Sequence, residues 1–381
     1  MHKAFVYRLY PSKPQAHLLD ATLETCRRFY NQCLAERKQV WEEEQRTLGK
    51  FEQLRTVKTL KAENPYAKSV HSHVLQTVVQ DLDTTFQAFF RRVKSGAAKP
   101  GFPRFQGRNR FRSFGFKELG NGFKLDGRRL KLSGIGRVAV RWHRPLEGVI
   151  KTVRIVKKAG KWYACFSCEV AQTEPLPKTE HAIGIDVGLA HLYTTSDGEQ
   201  VENPRWYRVA QRRLRVAQRR VARRKNGGRN RRKAVVMLQR QHERIANQRK
   251  DALNKLAHTL IERYDMIALE DLSITRMVHG TLAKSILDAG WGYLKQRLTH
   301  KAASAGREIV LVDPRYTSKT CSNCGHVFEH LSLADRWVAC VCGLSLDRDH
   351  NAAINIRNRA GHARWGLSSP PGGLPQEAAG L

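Results

Sequence analysis

The chain has 381 residues, with 68 Lys and Arg against 34 Asp and Glu, a formal charge of +34. Self-repulsion on that scale raises the energy of a compact state, and a polyanionic partner is the simplest reason to keep it. A 41% hydrophobic fraction supports about two or three packed domains. No apolar run reaches membrane-spanning length and no signal peptide opens the sequence. A secreted, membrane-spanning or small-metabolite protein is disfavoured; a cytoplasmic nucleic-acid binder with no membrane partner is expected.

His2 to Tyr10 alternate and carry aromatic and β-branched residues, which predicts a strand. Pro11-Ser12-Lys13-Pro14 stops it and caps a helix. In that helix Leu18, Leu19, Cys26, Phe29, Tyr30, Cys33 and Leu34 recur at helical spacing. A second helix is predicted over 69–94, with an apolar stripe of Leu75, Val78, Val79, Leu82, Phe86, Phe89, Phe90 and Val93. Such a stripe is ordinary core packing.

Residues 99–112 have no period. They interleave Phe102, Phe105 and Phe111 with Arg104, Arg108, Arg110 and Arg112, broken by Gly and Pro. Arg pairs with phosphates and Phe stacks on bases, so this mixture suits a strand-tracking surface. From about 121 to 170 the pattern turns to strands, with hairpins at Asp126-Gly127 and Ala159-Gly160. Val138, Val140 and Trp142 alternate with polar neighbours, as do Val153, Ile155, Trp162, Ala164 and Phe166. A small antiparallel barrel completed by strand 2–10 is expected. Cys165 and Cys168 would point to opposite faces of a strand and are read as packing residues, not ligands.

Residues 173–179 read as a linker, after which strands and helices alternate. Residues 205–255 form a basic helical hairpin around Gly227-Gly228. Val-Ala-Gln-Arg-Arg occurs at 209–213 and again at 216–220, giving Arg212, Arg213, Arg219 and Arg220. A narrow seam through Val235, Leu238, Ile245 and Leu253 backs a broad Arg face almost without acids, which predicts nucleic-acid contact. The tail from Ser368 is expected to be disordered.

Three carboxylates stand out. Ile183-Gly184-Ile185-Asp186 and Ile267-Ala268-Leu269-Glu270 are apolar strands tipped by an acid, with Leu192 to Thr195 a returning strand beside the first. Asp349 lies in the first turn of a helix for which Asp347 is the N-cap. A buried charge costs several kcal/mol unless paired or metal-bound, and strand-end acids of α/β sheets face the ligand crevice. Converging, the three would hold two Mg²⁺ ions and hydrolyse a phosphodiester. Asp271 should point to the opposite side and be structural. Cys321-Ser322-Asn323-Cys324 and Cys340-Val341-Cys342 form two thiolate pairs suited to a structural Cys₄ zinc. The second pair is CxC where CxxC is usual, so His326 and His330 stay in consideration as ligands.

These segments, with Phe5-Val6-Tyr7-Arg8-Leu9-Tyr10-Pro11, Gly101-Phe102-Pro103-Arg104-Phe105, Thr317-Ser318-Lys319-Thr320 and Asp347 to Ile356, occur in an order that resembles TnpB, the RNA-guided nuclease of insertion sequences, related to compact type V CRISPR effectors. The resemblance implies a multidomain α/β protein. A split RuvC-like, RNase H-like nuclease would span 180–318 and 344–362, with the basic hairpin at 203–255 and a zinc ribbon inserted at 319–343. A wedge-like antiparallel barrel would comprise 1–10 and 119–175, with a helical recognition lobe at 11–118 and a tail at 363–381. It implies a bound guide RNA from the element's right end and cleavage of double-stranded DNA beside a short transposon-adjacent motif. Asp186, Glu270 and Asp349 match the family's catalytic positions, and Gln76 resembles a residue near that motif. Ala339 stands where the family has its third Cys. Base pairing would read the sequence while the protein reads shape and phosphates. A guided binder without cleavage, a DDE-type transposase and a basic zinc-ribbon RNA chaperone are the alternatives; three intact acids favour the nuclease.

Overall fold

The computed structural model describes residues 1–365 apart from Asn109, Thr173 and Leu333. It divides into two compact units, Met1–Ala171 and Gln172 onward. The boundary falls beside the linker expected at 173–179. No described helix is long and apolar enough to cross a membrane.

The first unit opens with β1 (His2–Tyr10) and α1 (Lys13–Glu44). Ser12 caps α1 in a reciprocal box with Gln15. Leu19, Cys26, Phe29, Tyr30, Cys33 and Leu34 are buried as their spacing predicts, but Leu18 falls on the solvent side. Next come α2 (Lys50–Glu63), α3 (Pro65–Lys68) and α4 (Ser72–Lys94). Of α2, Val57 is buried with Leu54 and Leu60 packed beside it, and the rest of its anchor is polar. Buried Gln53 accepts from Arg37 Nε at 2.7 Å and donates to the Cys33 carbonyl at 2.8 Å. The predicted stripe of α4 is buried through Phe86, whereas Phe90 and Val93 at its end are exposed.

The strands β2 (Ser113–Phe116), β3 (Glu118–Leu119), β4 (Gly122–Asp126), β5 (Arg129–Leu132), β6 (Gly136–Arg141), β7 (Val149–Lys158) and β8 (Lys161–Glu169) join β1 in one eight-stranded sheet, ordered β2-β7-β8-β1-β6-β5-β4-β3. The sheet therefore begins at Ser113, ahead of the expected start at 119. β1 lies antiparallel between β6 and β8, as a strand completing the sheet should. The sheet curls until β3 comes back against β7. Ala159 and Gly160 turn the β7–β8 hairpin with φ of 48° and 73°, the two positive angles of a type I′ turn. Tyr7, Trp142, Phe123 and Phe166 form an aromatic core, with the Tyr7 and Trp142 centroids 4.6 Å apart. On β8, Cys168 is buried and Cys165 half-buried on the other face, as packing residues.

The second unit contains β9 (Ala182–Asp186), β10 (His191–Thr195), β11 (Gln200–Glu202), α5 (Trp206–Ala222), α6 (Arg229–Arg263), β12 (Met266–Glu270), α7 (Ile274–Met277), α8 (Ala283–Ala289), α9 (Trp291–Ala305), β13 (Glu308–Val312), β14 (Trp337–Ala339), β15 (Ser345–Asp347) and α10 (Arg348–Trp365). α10 runs three residues into the segment expected as tail; the rest of that segment lies outside the described residues. Its main sheet has the order β11-β10-β9-β12-β13. β9, β12 and β13 are parallel, and β10 and β11 fold back antiparallel. Ile183, Ile185, Ile267 and Leu269 face α6 and α9 through Leu253, Leu260, Leu294 and Leu298. Met266 and Ala268 face the other way, onto Ile356 and Ala360 of α10. The sheet is thus covered on both faces, which explains its continuous apolar strands. The linker is pinned rather than loose: Leu176 N donates to the Ala305 carbonyl, and the Thr179 and Glu180 N–H groups donate to Asp265.

Candidate functional site

β9 and β12 are neighbouring parallel strands in which Ile185 lies opposite Leu269. Asp186 and Glu270 follow those residues, so they leave the sheet at the same end. Period-2 alternation puts Ile185 and Leu269 on the α6/α9 face and both acids on the α10 face. Asp349 sits in the first turn of α10. Asp347 Oδ1 accepts from the N–H groups of Asp349 (3.0 Å) and His350 (3.1 Å), so Asp347 is the cap and Asp349 is released from that task. Asp271 is mostly exposed on the opposite side, where Lys295 Nζ donates to it at 2.7 Å.

The electrostatics report the convergence. Burial, then the charges of Glu270 and Asp349, push the Asp186 carboxyl well above the usual carboxylate range. Burial raises Glu270 too, opposed by the Thr317 hydroxyl and Arg359. Burial and Asp347 raise Asp349. The hydroxyl of Thr317 donates to Glu270 Oε1 at 2.5 Å and fixes the carboxylate.

Two further features hold the arrangement together. A Cβ on Gly184 would lie 2.1 Å from the Ala353 carbonyl oxygen, so glycine lets α10 seat directly on β9. Buried Asn351 and Asn355, one turn apart on α10, donate to the Thr320 carbonyl at 2.8 and 2.6 Å, and Asn355 also to that of Thr317 at 2.9 Å. Sequence reasoning missed Thr317, Asn351 and Asn355. The only signal was polar residues at i, i+4 in an otherwise apolar helix face.

The four sulfurs of Cys321, Cys324, Cys340 and Cys342 all lie within 4.8 Å of one another. Cys321 and Cys342 approach to 3.6 Å, as do Cys324 and Cys340. Four thiolates at about 2.3 Å from one zinc stand about 3.8 Å apart, so the donor set fits that ion. The CxC spacing is therefore no obstacle. Gly325 and Gly343, with φ of 77° and 89°, turn two knuckles whose N–H groups return to the carbonyls of Cys321 and Cys340. In this tightly packed set the Leu344 N–H and the Asn323 amide pull the Cys342 thiol down, while the Cys324 and Cys340 thiols beside it are pushed up. His326 packs its ring on Phe328 and His330 is exposed beside Glu329, so neither joins the cluster.

Of the residues expected to touch nucleic acid, Arg104, Arg108, Arg110 and Arg112 are exposed in a segment held on α1. Arg27 and Asn31 donate to the Gln106 carbonyl at 2.9 and 3.1 Å. Phe102 and Phe105 are both exposed; Lys38 Nζ lies 5.8 Å from the Phe105 ring, and Phe102 leans on Phe86 and Phe89 with one side of its ring. Gln76 is half-buried on α4 and accepts from Lys117 at 3.0 Å. Arg212, Arg213, Arg219 and Arg220 are exposed on α5, as are Val209 and Val216 of the repeat. The hairpin seam runs through Leu214, Ala234, Ile245 and Leu253; Val235 and Leu238 are only half-buried.

A mixed α/β chain with a Cys₄ ribbon set between the last sheet strand and a capping helix defines the class, one whose fold is found among compact CRISPR effectors. A solved chain described as "Cryo-EM structure of the Cas12f1-sgRNA-target DNA complex" superposes with a TM-score of 0.60 at 16% identity, covering 91% of this chain and 83% of that one. Another, "Structure of the mini-RNA-guided endonuclease CRISPR-Cas_phi3", gives 0.52 at 9% identity, covering 94% and 92%. Family models match at residues 165–280 ("Probable transposase", OrfB of IS605), 291–356 ("Cas12f1-like, TNB domain") and 1–46 ("Helix-turn-helix domain"). Residues 1–46 here are one strand and one long helix. A Streptomyces pristinaespiralis protein named "Putative RNA-guided DNA endonuclease" is 36% identical over 362 residues, 93% of this chain and 88% of its own. The Escherichia coli K12 protein "Putative RNA-guided DNA endonuclease InsQ" is 30% identical over 382 residues, 95% and 92%. The chain belongs to this family, the OrfB or TnpB proteins of IS605-type elements.

Proposed function

We propose that the chain is an RNA-guided DNA endonuclease of an insertion sequence, working in the bacterial or archaeal cytoplasm with a guide RNA from the element's right end and cutting double-stranded target DNA beside a short adjacent motif. The observation that carries the chemistry is the shared strand end of Asp186 and Glu270 beneath Asp349, with Asp186 raised by burial and then by the charges of the other two. Three half-buried carboxylates with no ion-paired partner among the described residues are costly unless divalent cations join them.

Asp186, Glu270 and Asp349 would hold two Mg²⁺ ions. Bound there, Mg²⁺ supplies Lewis-acid chemistry that activates water and stabilises the leaving 3′ oxygen. Among the described residues only the four cysteines bring three or more ligand atoms within 4.8 Å of one another, so the acids do not form a closed single-ion cage. Thr317 orients Glu270, and Asp347 keeps Asp349 from being spent as a cap. Cys321, Cys324, Cys340 and Cys342 would hold Zn²⁺ with no open position, a structural role.

The strand order, with three parallel strands and an antiparallel pair at one edge, supports an RNase H-like, RuvC-like domain over 180–318 and 344–362, interrupted by the ribbon at 319–343. The curled sheet supports a wedge-like barrel from 1–10 and 119–175, with 11–118 as recognition lobe. Gln76, Arg104, Arg108, Arg110 and Arg112 would track nucleic acid in the first unit, and Arg212, Arg213, Arg219 and Arg220 in the second. Delegating sequence to base pairing accounts for broad Arg surfaces. In the test, Asp186→Ala abolishes cutting of guide-matched DNA while target binding persists; substantial residual cutting would refute the assignment.

A further inference from the structure

The Cys₄ ribbon carries an aromatic side chain that the packing of its unit does not use. Trp337 opens β14 and is 60% exposed, whereas the next residue, Val338, is 1% exposed. The two-stranded ribbon therefore buries its Val338 face and turns Trp337 outward. The indole is not loose: its Nε1 donates to Ser345 Oγ on the partner strand at 2.7 Å. One edge is fixed and the rest of the ring is left open.

The location gives this a purpose. Trp337 pairs directly with Asp347, so the two side chains share one face of the ribbon. Asp347 is the residue whose carboxylate accepts from Asp349 N at 3.0 Å. Arg336, exposed and adjacent, accepts at its backbone carbonyl from Arg348 N at 2.9 Å, and Arg348 immediately precedes Asp349. An anchored aromatic and a cation thus sit at the approach to the carboxylates.

We infer that Trp337 is a base-stacking platform that positions the single nucleic-acid strand entering the carboxylate site, with Arg336 facing the neighbouring phosphate. The inference rests on the reading of Asp186, Glu270 and Asp349 as the nuclease site. The chemistry favours a nucleotide over a protein partner. On the indole's face of the ribbon the register places Ala339, Ser345 and Asp347, a small and polar setting for one flat ring. Every base has a π-face, so a stacking platform holds any sequence, as an enzyme that leaves sequence reading to its guide requires. Trp337 is a positioning residue here, distinct from the carboxylates that meet the reacting phosphate.

The experiment uses the full chain bound to its guide RNA, with Trp337→Leu, Trp337→Phe, Ser345→Ala and Asp186→Ala variants. Four quantities are measured: zinc content, target binding, single-turnover cleavage, and fluorescence of 2-aminopurine in a single-stranded DNA probe. Trp337→Leu should keep zinc and target binding, cut roughly ten-fold or more slowly, and lose the quenching of 2-aminopurine. Trp337→Phe should retain most of both, and Ser345→Ala should weaken quenching with the ring still present. Trp337→Leu cutting within about two-fold of wild type, with quenching intact, would overturn the proposal. Were Trp337→Leu to lose zinc, unchanged quenching in Ser345→Ala would overturn it instead. An inactive Asp186→Ala beside a fully active Trp337→Leu rejects stacking alone; an active Asp186→Ala rejects the nuclease reading beneath it.

Discussion

Gly184→Ala adds one methyl group where β9 meets α10. The new Cβ would stand 2.1 Å from the Ala353 carbonyl oxygen, 2.6 Å from Arg357 N and 2.9 Å from Arg357 Cβ. The two nearest atoms are helix backbone, which cannot swing aside as a side chain could. Ordinary contact is reached only if α10 lifts by about 1 Å, and overpacking of this kind costs about 1–3 kcal/mol. α10 carries Asp349, while Asp186 and Glu270 stay on the sheet. A 1 Å misplacement of a catalytic group can cost about 100-fold in rate. Gly184→Ala should therefore shift the urea midpoint down and reduce guide-dependent cleavage by about two orders of magnitude, with guide RNA still bound. A variant as stable as wild type and cutting within about three-fold would show that α10 does not seat the third carboxylate this way.

Thr317→Val keeps the shape of the side chain and removes the hydroxyl donated to Glu270. A hydrogen bond to a charged group contributes about 1.5–3 kcal/mol, so the Mg²⁺ concentration for half-maximal cleavage should rise about ten-fold or more, read from a metal titration; an unchanged titration would mean Thr317 does not orient Glu270. Cys342→Ser should lower zinc content and thermal stability together, measured by elemental analysis and a melting curve. Zinc-free protein of normal stability would contradict a structural ion. In the metal-free chain Asp186, Glu270 and Asp349 all titrate above the ordinary carboxylate range. The folded state then binds more protons than the unfolded one, so this contribution to stability is full below the ordinary range and falls as pH rises through the folded values. Mg²⁺ should flatten that decline, and Asp186→Asn should raise metal-free stability at neutral pH; denaturation across pH with and without Mg²⁺ checks both.

The two strands tipped by acids, the cap at Asp347 and the cysteine pairs were legible because burial, capping and ligation each leave a residue-type signature at fixed spacing. What escaped was carried by polar or absent side chains. α2 docks through Gln53 and Arg37 as well as through Val57, Leu54 and Leu60, and apolar periodicity cannot see the polar half of that contact. Gly184 matters through the space it leaves, and a glycine inside an apolar strand does not say what approaches it. Thr317, Asn351 and Asn355 act on groups far away in sequence, the last two on backbone carbonyls. The α5 repeat shows the converse: Val209 and Val216 are apolar by type, yet the helix turns them to solvent beside its arginines. The CxC pair departed from a CxxC norm and kept His326 and His330 in view; glycine knuckles at Gly325 and Gly343 bring the four sulfurs together without them.

The central claim is tested most directly by expressing wild type and Asp186→Ala with the element's downstream flanking DNA, sequencing the co-purified RNA, and incubating each complex with Mg²⁺ and a target library of randomised flanks. The account predicts one discrete bound RNA in both, guide-dependent cutting beside one enriched flank motif by wild type, and none by Asp186→Ala. Equal cutting by the two proteins, or wild type that binds guide and target yet cuts nothing, would contradict it.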